Sequence, residues 1–195
     1  YSFAQAGQES RKIANAIKNF NLPERSHIAL ISKNCAHWHM ADLAIMMSGH
    51  ISIPIYPSLN ASSINQILVH SESRAIIIGK LDDLESQQSG IPDIHKICVG
   101  LYGDDNGTLW EDIIKNSQEI TNVYIQKPDD LYTIIYTSGT TGAPKGVMHT
   151  VNNFMESVKA IHSRFPLEDH SKLFSFLPIA HIAERVLENI SIAIG

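Results

Sequence analysis

Between Thr137 and Gly142 the chain places four hydroxyl side chains and two glycines in six residues, and Lys145 follows Ala143 and Pro144. Such a run builds no core and favours neither helix nor strand, so it is read as a loop. Glycine opens positive φ, which lets successive backbone N–H groups converge on one anion. The hydroxyls of Thr137, Ser138, Thr140 and Thr141 add donors, and Lys145 adds a full positive charge. These are the groups a polyphosphate requires. Composition alone fits a solvated surface loop as well; the order of the residues has to separate the two. The kinase-type phosphate loop does not match. There glycine directly precedes the lysine and a helix follows, whereas here Pro144 precedes Lys145 and Gly146–Thr150 reads as a short strand.

A second chemical stretch runs from Phe176 to Arg185. Pro178 closes an apolar run and leaves His181 at the start of a helix. The helix dipole there disfavours an added positive charge, so a neutral imidazole is expected that still donates one hydrogen bond. Read alone, His181 is a helix-start residue bonded to backbone, with Glu184 and Arg185 as solvated charges.

The elements that position these residues follow from periodicity. Leu131–Tyr136 is β-branched and aromatic, so a strand delivers the hydroxyl-rich loop. With a strand on either side, the loop is expected to form a hairpin lid over a ligand. Upstream, Ser2 with Gln5 predicts a capped helix, with Phe3, Ala6, Ile13, Ile17 and Phe20 on one face, that ends at Pro23. Short apolar runs at 27–31, 51–56, 75–79 and 94–99 read as strands. Pro54 is expected at a sheet edge or strand end. Asn34 is expected to cap a buried helix from Cys35 to Ser48, stopped by Gly49. His37 and His39 share no helix face and make an improbable metal pair. Further helices are expected after Asn60, from Leu81 to about Gln87, after a Thr108–Glu111 capping box, after Thr150 and from about Ile182, and one more strand over Lys172–Leu177. Strands alternate with helices throughout, and several strands are continuously apolar. The fold class is therefore α/β, with a mainly parallel sheet covered by helices. Ligands in such sheets bind beyond the carboxyl ends of the strands, where the loop after Tyr136 sits.

Composition narrows the partners. The chain has 195 residues, enough for one domain, with 18% charged and 44% hydrophobic residues and a net charge of −5. No basic run points to nucleic acid. Cys35 and Cys98 fit no metal or redox spacing, and a reducing cytosol is the simplest setting. The most apolar stretch, Ala41–Tyr56, is broken by Asp42, Ser48, Gly49, His50 and Pro54, so at most peripheral membrane contact is expected. The first residue is Tyr1 and the last are apolar, which reads as an internal piece of a longer protein.

Position by position, Tyr136–Val147 resembles the phosphate-loop signature of the adenylate-forming superfamily, which comprises acyl-CoA synthetases, luciferases and the adenylation domains of peptide synthetases. Leu177-Pro178-Ile179-Ala180-His181-Ile182-Ala183-Glu184-Arg185 resembles the stretch that follows this loop in long-chain fatty acyl-CoA synthetases, and Gly49–Pro57 reads like an early strand-turn segment of that family. The resemblance implies that residues 1–195 are the N-terminal portion of an AMP-binding domain. It implies an ATP-dependent reaction in which a carboxylate becomes an acyl-adenylate and is passed to coenzyme A. Thr137, Ser138, Gly139, Thr140, Thr141 and Gly142 would cradle the β- and γ-phosphates. Lys145 would add charge to the leaving pyrophosphate, and Thr137 would be the one magnesium ligand. His181 would lie beside the carboxylate and the α-phosphate, with Ile179 and Ala180 suiting the wall of an acyl tunnel. The family's Y-G-x-T-E segment, ribose-binding aspartate and C-terminal lysine are not in this stretch, so residues 1–195 alone are expected to be inactive. An aryl or amino acid substrate, or a non-catalytic nucleotide- or acyl-binding relative, stands as the alternative.

Overall fold

The computed structural model describes residues 1–137, 144–168 and 172–194. Helix α1 (Phe3–Lys18) begins at a complete capping box: Gln5 N–H donates to the Ser2 hydroxyl, and Ser2 N–H donates to the Gln5 side chain. It buries Ile13, Ala14 and Ile17, leaves Phe3 exposed, and stops before Pro23 is reached. There follow β1 (His27–Ile31), α2 (Ala36–Met47), β2 (Ile51–Ile55), α3 (Ala61–His70), β3 (Ala75–Ile78), α4 (Leu84–Gln88), β4 (His95–Cys98), a short 3-10 turn (Gly100–Tyr102), β5 (Thr108–Leu109) and α5 (Trp110–Asn116). The second part of the chain forms β6 (Leu131–Thr137), β7 (Lys145–Thr150), α6 (Val151–Arg164) and α7 (Ile182–Ile194).

Among the described residues the strands form one seven-stranded sheet in the order β5-β4-β3-β1-β2-β6-β7. Every neighbouring pair is parallel except the β6–β7 hairpin. Strand alternation explains why β3 is apolar at every position and β1 at every position after His27. Ile28, Leu30 and Ile77 face a core shared with α1, α2 and α5. Ala29, Ile31, Ile76 and Ile78 face the opposite core, against Ile64, Ile67 and Leu68 of α3. A third cluster seats Phe154 and Val158 of α6 and Val186 and Ile190 of α7 around Tyr132 of β6.

Four local expectations are corrected. Pro54 lies in the interior strand β2, not at a sheet edge, and is the next-to-last residue of that strand. Ile51 N–H donates to Ser26 O on the β1 side, so alternate residues Ser52 and Pro54 face β6. There the ladder pairs Ser52 with Thr133, and Pro54 lies past that pair, where its missing N–H breaks no bond. Asn34 does not cap α2; Cys35 occupies that position without a side-chain bond. Thr108 lies in β5, and Glu111 binds the N–H groups of Gly100 and Leu101 instead of closing a capping box. Lys172–Leu177 is not in a strand, because it has no ladder partner among the described residues. At the end of α2, Gly49 takes φ +86°, the left-handed conformation that stops a helix.

Candidate functional site

Two elements meet at the carboxyl end of the sheet. β6 ends at Thr137 and β7 begins at Lys145, and the antiparallel register sets these two residues opposite each other. Both side chains are exposed. The approach is close because Gly146, opposite Tyr136, carries no side chain. A Cβ there would stand 2.7 Å from Ile134 Cγ2, so any larger residue would push β7, and Lys145 with it, away from β6. The hairpin expected around the loop is therefore formed by its two flanks. Ser138, Gly139, Thr140, Thr141 and Gly142 lie outside the described residues.

His181 stands at the start of α7 with an exposed side chain. Its N–H donates to Pro178 O at 2.8 Å, and its Nδ1 accepts from Ala183 N–H at 3.2 Å. Because Nδ1 is the acceptor, the ring proton sits on Nε2, which leaves one outward-facing donor. The approach to His181 is held by Asn34. Its Nδ2 donates to Ser175 Oγ and Leu177 O, and its Oδ1 accepts from Ile179 N–H at 3.1 Å. Ile179 and Ala180 are buried. Ile179 lines a cavity of about 940 Å³ together with Phe3, Cys35, Met40, Leu173 and Ile192. Thr137 and Lys145 lie opposite each other, and among the described residues His181 is hydrogen-bonded to neither.

Glu184 and Arg185 are not solvated. Arg185 is fully buried and Glu184 nearly so. The Arg185 guanidinium forks onto Asp42 of α2, with Nη2 at 2.5 Å from Oδ1 and Nε at 3.2 Å from Oδ2. Its Nη1 donates to Thr133 Oγ1 at 2.9 Å, and Thr133 donates onward to Ser52 O at 2.7 Å. The Tyr132 hydroxyl donates to Asp42 at 3.1 Å, and its ring lies 4.3 Å beneath the guanidinium. Burial works against the charge on Arg185, but Asp42 and Tyr132 outweigh it and hold its pKa above the ordinary value. The reading of the sequence missed Asp42, Thr133 and Asn34. One signal for Asp42 was present: it is a lone carboxylate in an otherwise apolar helix, and a buried charge requires a partner.

The remaining candidates sort by surroundings. His37 is buried and bonded to the hydroxyls of Tyr1 and Tyr102, while His39 pairs with Glu188 of α7. Burial raises the Cys35 thiol, but hydrogen bonds from His37, Ser32 and Tyr102 outweigh it and bring the pKa to about 7. Cys98, inside the sheet, is pushed up to about 12 by burial and then by Asp104. Among the described residues no group of three His, Cys, Asp or Glu side chains could hold a metal. None of the described helices is long and apolar enough to cross a membrane.

Comparison with known proteins places this geometry. Residues 1–195 match the family described as AMP-binding enzyme. A human long-chain-fatty-acid–CoA ligase is 24% identical over 96% of this chain and 30% of its own. The peroxisomal long chain acyl-CoA synthetase 6 of Arabidopsis thaliana is 26% identical over 100% of this chain and 30% of its own. The chain thus spans about 30% of the length of these curated relatives. Among solved structures, a long-chain-fatty-acid-CoA ligase from Archaeoglobus fulgidus superposes with a TM-score of 0.82 at 21% identity, over 99% of this chain and 38% of its own. The o-succinylbenzoate coenzyme A synthetase of Bacillus subtilis, in complex with AMP, superposes with a TM-score of 0.78 at 19% identity, over 98% and 48%.

Proposed function

We propose, for a chain that belongs to the AMP-binding enzyme family of adenylate-forming enzymes and covers its N-terminal portion, that the whole protein is an ATP-dependent long-chain fatty acid–CoA ligase. The observation that carries the reading is Thr137 set opposite Lys145 at the carboxyl end of a parallel sheet. In this reading the fatty carboxylate attacks the α-phosphate of ATP. The α–β bond breaks, pyrophosphate leaves with its electron pair, and the thiol of coenzyme A then displaces AMP to give the thioester. The attacking carboxylate is already ionised at neutral pH, so the protein contributes position and charge more than proton transfer. Thr137, Ser138, Gly139, Thr140, Thr141 and Gly142 hold the β- and γ-phosphates. Lys145 meets the charge that grows on pyrophosphate. His181 turns its free Nε2–H toward the carboxylate and α-phosphate oxygens.

Magnesium fits this end of the sheet in a limited way. It binds through few protein oxygens and shares the rest of its shell with water and substrate phosphate, and the exposed hydroxyl of Thr137 is one such oxygen. The long-chain preference rests on the Leu177–Arg185 motif and on the names of the relatives. A cytoplasmic location with at most peripheral membrane contact accompanies it.

The test uses the complete protein and measures carboxylate-dependent exchange of labelled pyrophosphate into ATP. Long-chain fatty acids are expected to support faster exchange than aryl or amino acids. Faster exchange with an aryl or amino acid overturns the substrate class and keeps the chemistry. No exchange with any acid, beside measurable ATP binding, overturns the activity and leaves a binding relative.

A further inference from the structure

Arg185 raises a question of energetics. Replacing a buried ion pair with apolar side chains of similar volume is often neutral or stabilising. A guanidinium buried to 0% exposure is therefore not accounted for by stability alone. What arginine offers instead is direction, because its planar fork fixes several partners at once. Here the fork gathers three elements: Asp42 from α2, Thr133 from β6, and α7 itself.

Each arm leads to the candidate site. On α7, Arg185 lies one helical turn after His181, and its N–H donates to His181 O at 3.2 Å. On β6, Thr133 and Thr137 are four positions apart and so share a face of the strand. A continuous path of bonds and rigid backbone thus runs from the His181 turn, through the guanidinium, to the strand that ends in Thr137. The Tyr132 ring against one face of the guanidinium restricts its plane. Farther along the same helices, the His39–Glu188 pair ties α2 to α7 again at a partly exposed position.

We propose that Asp42 and Arg185 are positioning residues: they fix the first turn of α7, and His181 with it, against the strand that presents Thr137. The proposal rests on the adenylation reading for its kinetic arm and on geometry alone for its structural arm. Neither residue touches substrate. Their effect is on the spacing of two groups that act on neighbouring parts of one substrate, Thr137 on the β- and γ-phosphates and His181 on the carboxylate and α-phosphate, and a displacement near 1 Å in such a site can cost about 10²-fold in rate.

The test uses two variants of the complete protein. Arg185→Lys keeps the charge beside Asp42 but cannot bind Asp42 and Thr133 together. Thr133→Val removes a single oxygen and leaves the Asp42–Arg185 pair intact. Pyrophosphate exchange is measured for kcat and for the KM of ATP, and amide hydrogen exchange is followed across 181–185 and across β1 and β3. The expected result is a kcat lowered by about tenfold in Arg185→Lys and about threefold in Thr133→Val, with the KM of ATP within about twofold. Amide exchange should accelerate across 181–185 and stay unchanged in β1 and β3. Wild-type kcat with wild-type amide exchange in both variants overturns the proposal. So does acceleration spread equally through β1 and β3, which marks a merely structural role. If Arg185→Lys does not fold, Thr133→Val decides. If the wild-type protein exchanges no pyrophosphate, the functional reading fails and the amide-exchange arm still decides this one.

Discussion

Inside the sheet, β1 after His27 and all of β3 are built from Ile, Leu and Ala that are buried on both faces. At the carboxyl end the chain changes material. Ser32, Asn34 and Cys35 follow β1, exposed Thr137 ends β6, exposed Lys145 starts β7, and exposed His181 starts α7. The interior is held by non-directional burial, which tolerates no water and needs no specific partner. The rim is held by directed bonds from Asn34 to the 175–179 segment, and behind it the buried Arg185 ties α7 to Asp42 and Thr133. The difference teaches that stability and chemistry are separated along the strands of this fold. The interior supplies a rigid platform, and the rim spends polar groups on aim.

The two cysteines give the widest expected separation between these regions. Cys35 at the rim has a pKa of about 7, and Cys98 in the interior one of about 12. Near neutral pH the thiolate fractions differ by orders of magnitude, which the lower intrinsic nucleophilicity of Cys35 only partly offsets. In the complete protein, Cys35 should be alkylated by iodoacetamide at least about 10²-fold faster than Cys98. Mass spectrometry of timed digests reads both sites, and comparable rates would erase the contrast.

Truncation is the next largest effect. Ile77 of β3 is 1% exposed and Met148 of β7 is 68% exposed. Ile77→Ala should cost about 2–5 kcal/mol through lost burial and a residual cavity. Met148→Ala should stay within about 0.5 kcal/mol. Denaturant midpoints of the complete protein compare them, and equal losses would show that β7 is as deeply integrated as β3.

The same contrast decides what the sequence discloses. The caps at Ser2 and Thr150 are legible because donor and acceptor lie within one turn. The strands of the interior are legible because two-sided burial writes itself as an apolar run. Asn34 and Glu111 have the right residue types for caps, yet their side chains serve other segments: Asn34 reaches 145 positions ahead to Ile179, and Glu111 turns back to Gly100. No local rule anticipates that. Lys172–Leu177 has the composition of a strand, but a strand is completed by a neighbour, and composition does not supply one. Arg185 reads as a solvated charge until Asp42, 143 positions away, comes beside it. Of the site, Thr137, Lys145 and His181 are visible as residue types in order, while the network behind them is visible only in three dimensions.

The smallest of these effects bears on the central claim, that the rim aims charge at a polyphosphate. Lys145 is exposed and stands opposite Thr137. Negative charge grows on pyrophosphate as the α–β bond breaks, so the lysine should matter more in the transition state than in the ground state. A fully preorganised contact of this kind contributes about 10²–10³ in rate, and an exposed, flexible lysine contributes less. The measurement is carboxylate-dependent pyrophosphate exchange by the complete Lys145→Met protein, beside direct titration with ATP. The account predicts an exchange rate lowered by at least about tenfold, with a smaller change in ATP affinity. An unchanged exchange rate would contradict it and make Lys145 a solvated residue of the hairpin.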